Sequence, residues 1–271
     1  MSQFDNQYAA SQARAQQGSV VDQGLRSYMI GVYNYMSIGV ALTGVVAYVL
    51  YTMMVTPDAE TARASAGALY SAGKTTINGV QIQLYLNQLG YVLKVSPLKW
   101  VVMLAPLAFI LVMSFARMSA ANAQLVFWAF AATMGVSMSS IFVVYNLGSI
   151  YQVFFISAAA FAALSLYGYT TKKDLSGWGS FLIMGVFGLV LAGIVNIFLQ
   201  SSALHFAMSV IGVLVFASLT AYDTQRIKDE YYLVAGDQEA MAKASIFGAL
   251  SLYLDFVNMF QFLLALMGDR E

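Results

Sequence analysis

Seven stretches of the chain are apolar over close to the roughly 20 residues that a helix needs to cross the hydrocarbon of a bilayer. They lie at about 28–55, 98–116, 123–145, 150–170, 179–200, 205–228 and 243–267. Strands of a membrane barrel would be shorter, about 10 residues, and would alternate apolar with polar. Hydrophobic residues make up 60% of the 271 residues and charged ones 10%, with a mean hydropathy of +0.71. A soluble domain holds about 45–50% apolar and about 25% charged residues. The excess cannot be buried in one water-soluble core, so a soluble enzyme and a disordered chain are both excluded. An all-α membrane protein of seven transmembrane helices is expected.

Charge and composition narrow the function further. Lys and Arg number 13 and Asp and Glu 13, so no basic stripe offers a nucleic-acid footprint. With no Cys and one His, disulfides, thiolate nucleophiles and His-based metal clusters are excluded. The sequence contains no GxxxxGK[ST] phosphate loop, and Gly185, Gly188 and Gly193 read as helix contacts. The many Met and aromatic residues read as packing. His205 is expected at the outer interface.

Residues 1–27 are polar, lack the short apolar core of a signal peptide, and read as a mobile cytoplasmic tail ahead of a transmembrane domain over 28–267. Most connections are short. The exception is a long extracytoplasmic loop at 56–97, within which Asn78-Gly79 stands between alternating apolar and polar residues. That pattern favours a hairpin at 75–84, with an unstructured loop as the alternative. Placing the N-terminus inside puts Arg14, Arg26, Arg117, Lys172, Lys173, Arg226, Lys228 and Lys243 in the cytoplasm. The short outer connections at 145–149 and 200–204 then carry no Lys or Arg, as the positive-inside rule asks, and the C-terminus lies outside.

Ionisable groups inside hydrocarbon are costly and usually mark function. Asp255 lies about two and a half turns into the last span, and Ser251 and Asn258 share its helical face. Asp223 lies near the cytoplasmic end of the sixth span. Antiparallel helices bring both carboxylates into the inner half of the membrane. Arg117, at the cytoplasmic end of the second span, is the nearest basic candidate at that depth. Plainer readings stand beside these: Asp223 as an interfacial residue paired with Arg226 or Gln225, Asp255 as structural, Arg117 as a topology anchor.

The run Ala249-Leu250-Ser251-Leu252-Tyr253-Leu254-Asp255-Phe256-Val257-Asn258-Met259-Phe260 resembles the C-terminal signature of the Bax inhibitor-1 family, also called the transmembrane Bax inhibitor motif family. Tyr222-Asp223-Thr224-Gln225, Thr171-Lys172-Lys173-Asp174-Leu175-Ser176 and Asn196-Ile197-Phe198 also match, and the likeness covers about 25–268. The resemblance implies a central last helix surrounded by the other six. It implies that Asp223 and Asp255 form a pH-sensing pair on a calcium-leak pathway, with Arg117 in contact with them. It also implies, for bacterial members, a tie to a membrane-bound AAA protease. This chain departs in its longer first outer loop and its longer segment between the two aspartates.

Two carboxylates in a low-dielectric site repel and tend to share one proton. Calcium takes six to eight oxygen ligands; Asp223, Asp255, Asn258, carbonyls and water supply some, a sparse set that suits passage. A pH-sensitive calcium leak channel is therefore expected, with no cofactor and with the lipid bilayer and calcium as partners. The alternative is a non-transporting regulator that binds a membrane AAA protease. An enzyme is not expected, since neither aspartate has the GxGD context of an intramembrane aspartyl protease. The location expected is a bacterial cytoplasmic membrane.

Overall fold

A computed structural model describes residues 3–77 and 80–270. Its elements are α1 (Gln3–Met54), β1 (Val55–Thr56), α2 (Ala59–Ala66), β2 (Ser71–Ile77), β3 (Val80–Leu86), α3 (Gln88–Lys94), α4 (Leu98–Phe115), α5 (Ala120–Met138), α6 (Ile141–Val144), α7 (Leu147–Thr170), a 3-10 turn at Ser176–Trp178, α8 (Gly179–Leu199), α9 (Ser202–Val234) and α10 (Gln238–Met267). Among the described residues seven segments are long and apolar enough to cross a membrane: Gln23–Met54, Leu98–Phe115, Ala120–Val144, Leu147–Thr170, Ser176–Leu199, Ser202–Val234 and Gln238–Met267. The protein is an all-α membrane protein of seven spans.

Helix α10 is the most enclosed: half of its most apolar stretch is buried, against 11% for α4 and α8. Among the described residues most of the packing on α10 comes from α1, α5, α7 and α9. The second and fifth spans lie further out, α4 on α5 and α8 on α9. These two are apolar on nearly every side, with Phe115, Phe187 and Phe198 exposed, and lipid satisfies such surfaces as well as protein does.

Three boundaries differ from those expected. The polar residues from Gln3 onward continue α1 rather than forming a separate mobile tail; this Ala- and Gln-rich run contains no Pro, so nothing in it breaks a helix. Helix α9 runs on to Val234 and α10 starts at Gln238, so the connection expected from Arg226 to Lys243 shrinks to three residues. Apolar content ends at the bilayer surface, but the helical backbone does not. What stops it is Gly236, at φ 112°, followed by Asp237, whose carboxylate accepts from the N–H groups of Glu239 and Ala240.

The long first connection folds into a cap. A three-stranded antiparallel sheet runs in the order β1-β3-β2, with Val55 opposite Leu86 and Ile77 opposite Val80. The Asn78-Gly79 turn lies outside the described residues. Ala72, Leu84 and Leu86 form a small core against Tyr51 of α1 and Val143 of α6. The cap also terminates two membrane helices. Asn87 donates its backbone N–H to the Met54 carbonyl and its side chain to that of Met53. Lys94 donates to the carbonyls of Val136 and Ser137 at the end of α5, and burial pushes its amine down to about 8. At the same end of the bundle the C-terminal segment is strapped to α7: Asp269 accepts from the Asn146 N–H and donates its own to Ser149 Oγ.

Candidate functional site

Asp223 and Asp255 come together between α9 and α10, the most extensively packed helix pair. Both are buried, at 7% and 4% exposure, and the two carboxyl groups lie close enough to act on each other's charge. A hydrogen bond between two carboxyl groups requires one proton, because an ionised carboxylate only accepts. Asp255 Oδ2 is buried without a hydrogen-bond partner among the described residues.

The cation beside the pair is Arg226. Its Nη2 lies 3.1 Å from Asp223 Oδ1 and donates to Ser251 Oγ at 3.0 Å, tying α9 to α10. Arg226 follows Asp223 by three residues and so shares its helical face. Arg117, expected at this place, lies elsewhere. Helix α4 ends at Phe115 and Ala116 turns extended, which carries Arg117 into an adjoining cavity with Ser119, Glu239 and Lys243. Of the other candidates, Ser251 joins the pair through Arg226, while Asn258 donates its amide back to the Leu254 carbonyl of its own helix.

A vestibule of about 910 Å³ leads to the site, lined by Ser114 of α4, Tyr222, Arg226, Asp229 and Glu230 of α9, and Ser251 of α10. Its walls carry two acids, Asp229 and Glu230, and Asp223 and Asp255 lie behind them. Arg226, with half its side chain exposed, separates that space from Asp223, whose side chain is 10% exposed. Beyond the pair toward the capped end, α10 is packed tight: Phe256, Met259, Phe260 and Leu264 are all buried.

Two hydroxyl relays flank the site, and the sequence had not singled them out. Tyr33 Oη meets Ser165 Oγ at 2.6 Å, and Ser165 meets Thr224 Oγ1 at 2.9 Å, linking α1, α7 and α9. Tyr253 Oη, fully buried, meets Thr43 Oγ1 at 2.7 Å, and Thr43 donates to the Ala131 carbonyl. A small hydroxyl inside an apolar span is common and usually bonds its own helix, so only the assembled helices reveal the partners. Gln225 clamps the connection after α7, accepting from the Leu175 N–H and donating to the Lys173 carbonyl. Within that connection, hydrogen bonds from Ser176 hold the Asp174 carboxyl below the usual carboxylate range.

The profile of the family described as "Inhibitor of apoptosis-promoting Bax1" matches residues 25–271. The chain belongs to the Bax inhibitor-1 family. A Caulobacter vibrioides protein is 42% identical over the whole length of both chains. A Rickettsia prowazekii protein, RP147, is 39% identical, covering 97% of this chain and 98% of its own. The inner membrane protein YbhL of Escherichia coli K12 is 38% identical over 92% of this chain and 94% of its own. As a Bax inhibitor-1 family member with seven apolar helices, the protein is a multi-pass protein of the inner membrane.

Proposed function

We propose that the protein is not an enzyme but a pH-sensitive cation leak pathway, chiefly for calcium, gated by Asp223 and Asp255 beneath Arg226. The observation that carries this reading is the buried, partnerless Asp255 Oδ2 next to a second carboxyl group. A buried carboxylate oxygen without a donor is costly; it is relieved by a proton or by a passing cation.

On this reading one proton shared by the two carboxyl groups holds α9 and α10 together in a shut state. Without it, two unit charges about 4 Å apart repel by roughly 4 kcal/mol at an effective dielectric of about 20. That exceeds the worth of the half-exposed Arg226 pair, so the helices separate or a cation enters. Asp229 and Glu230 raise the local cation concentration in the vestibule. Two carboxylates fall short of the six to eight oxygens that calcium takes, which suits transit over storage. An inside-negative potential favours entry by about 2.3 kcal/mol per charge per 100 mV, so no nucleotide is needed.

The test is calcium flux into liposomes holding the purified protein alone, from about pH 6 to pH 8. The wild type should carry calcium with a pH-dependent rate, and Asp223→Asn or Asp255→Asn should flatten that dependence. If both variants keep the wild-type profile, the pair is structural, and the reading passes to a non-transporting regulator bound to a membrane AAA protease.

A further inference from the structure

On the flank of the bundle, away from the aspartates' vestibule, α1 and α7 both pack on α9 and α10 but hardly on each other. Between them lies a cleft of about 500 Å³, within the roughly 300–1,000 Å³ of small-molecule sites. Its walls are apolar, with Ile30 of α1 and Phe161, Ala162 and Leu166 of α7. Arg26 stands on its rim, near the start of the first span. Among the described residues Arg26 is exposed and has no ion-pair partner.

A second cation stands beside the cleft. Lys228 Nζ donates to the Tyr169 carbonyl at 3.0 Å and lies 5.9 Å from the centre of the Tyr169 ring, and Tyr169 lines the cleft. The face of α1 that meets α9 is a different one: Tyr28, whose ring packs against Tyr231 of α9, is two residues from Arg26 and so on the opposite face of α1. Basic residues at the rim above an apolar slot between membrane helices match one kind of occupant, an amphiphile with an anionic head.

We propose that this cleft binds an anionic phospholipid of the leaflet on the Arg26 side, with its phosphate between Arg26 and Lys228 and one acyl chain along Ile30, Phe161 and Leu166. Orientation by Lys and Arg makes that the cytoplasmic leaflet, whose surface is negative. The proposal stands apart from the leak reading, since neither cation touches the aspartate pair. The two places are nevertheless joined, because Tyr33 and Ser165 line the cleft and lead by hydroxyl contacts to Thr224, the neighbour of Asp223.

The test is native mass spectrometry of the full chain in mild detergent, with phosphatidylglycerol and phosphatidylcholine of identical acyl chains added in turn. The wild type should retain one phosphatidylglycerol in preference to phosphatidylcholine. Arg26→Ala should lower that preference about fivefold, the worth of one basic residue near a charged surface, and Lys243→Ala, on the same side but beside Glu239, should leave it unchanged. Ala162→Trp, which fills the slot, should remove the adduct of both lipids, with circular dichroism confirming an intact fold. Equal retention of the two lipids, an unchanged preference in Arg26→Ala, or an adduct that survives Ala162→Trp would each overturn the proposal.

Discussion

Asp255 is the residue on which the proposed gate turns, and Arg226 is the one that sets its conditions. The guanidinium offsets the negative charge of the pair from 3.1 Å and braces Ser251 across the helix interface. Arg226→Ala removes both effects. The pH midpoint of calcium flux should then move to higher pH by on the order of one unit, because a proton must supply what the cation did. Arg117→Ala should leave the midpoint where it is, since Arg117 lines a different cavity; equal shifts in the two variants would show that Arg226 has no special place. Lys94 gives a second pH effect at this scale, on stability. Its folded value is about 8 against 10.5 for the free amine, so between those limits the unfolded chain binds more protons and stability rises with pH. Thermal unfolding in detergent should show a gain from pH 7.5 to pH 9.5 that is smaller in Lys94→Met, with solvent around part of the side chain keeping the difference modest.

Pairs of elements are held at the distances the site needs by small residues and caps. A Cβ at Gly168 of α7 would lie 2.2 Å from the Ala221 carbonyl oxygen of α9. The obstacle is backbone, which cannot rotate aside as a side chain can. Gly168→Val should therefore force α7 from α9, cost about 1–3 kcal/mol, and break the contact between Ser165 and Thr224. Lowered thermal stability together with altered flux is the expected outcome, and wild-type values for both would refute the close crossing. Asp237→Ala tests the other device. It removes the carboxylate that caps α10 and should cost about 1 kcal/mol, without changing the pH profile, since the cap is far along the helix from Asp255.

Across the whole molecule, alternation of seven spans puts the cap, the α5–α6 end and the C-terminal strap at one surface, and Arg26, Lys172 and Lys228 at the other. The chain has no Cys, so single cysteines report side directly. Lys173→Cys should be labelled by a membrane-impermeant reagent only from the cytoplasm, and Arg63→Cys, in α2 of the cap, only from outside. The reverse pattern at either position would reject the orientation and move the proposed lipid site to the other leaflet.

The number of spans, the interior Asp223 and Asp255, and the family follow from the sequence alone, because hydropathy and helical spacing are local properties. Which charges meet is not local. Arg117 and Arg226 sit at the cytoplasmic ends of the second and sixth spans, and depth alone does not choose between them as the cation beside Asp255. The close approaches of Gly168 to Ala221 and of Gly212 to Phe262 help set how far each helix is rotated, and that rotation turns the Asp223–Arg226 face of α9 toward Asp255 and Ser251 of α10. Within the cap at 56–97 the antiparallel pairing around Asn78-Gly79 was legible locally, but the cap itself was not, since its core is completed by Tyr51 and Val143 from membrane helices and a lone hairpin is only marginally stable in water. The cleft between α1 and α7 is further still from the sequence. It exists because two helices that share neighbours fail to meet, and a gap of that kind is a property only of the packed bundle.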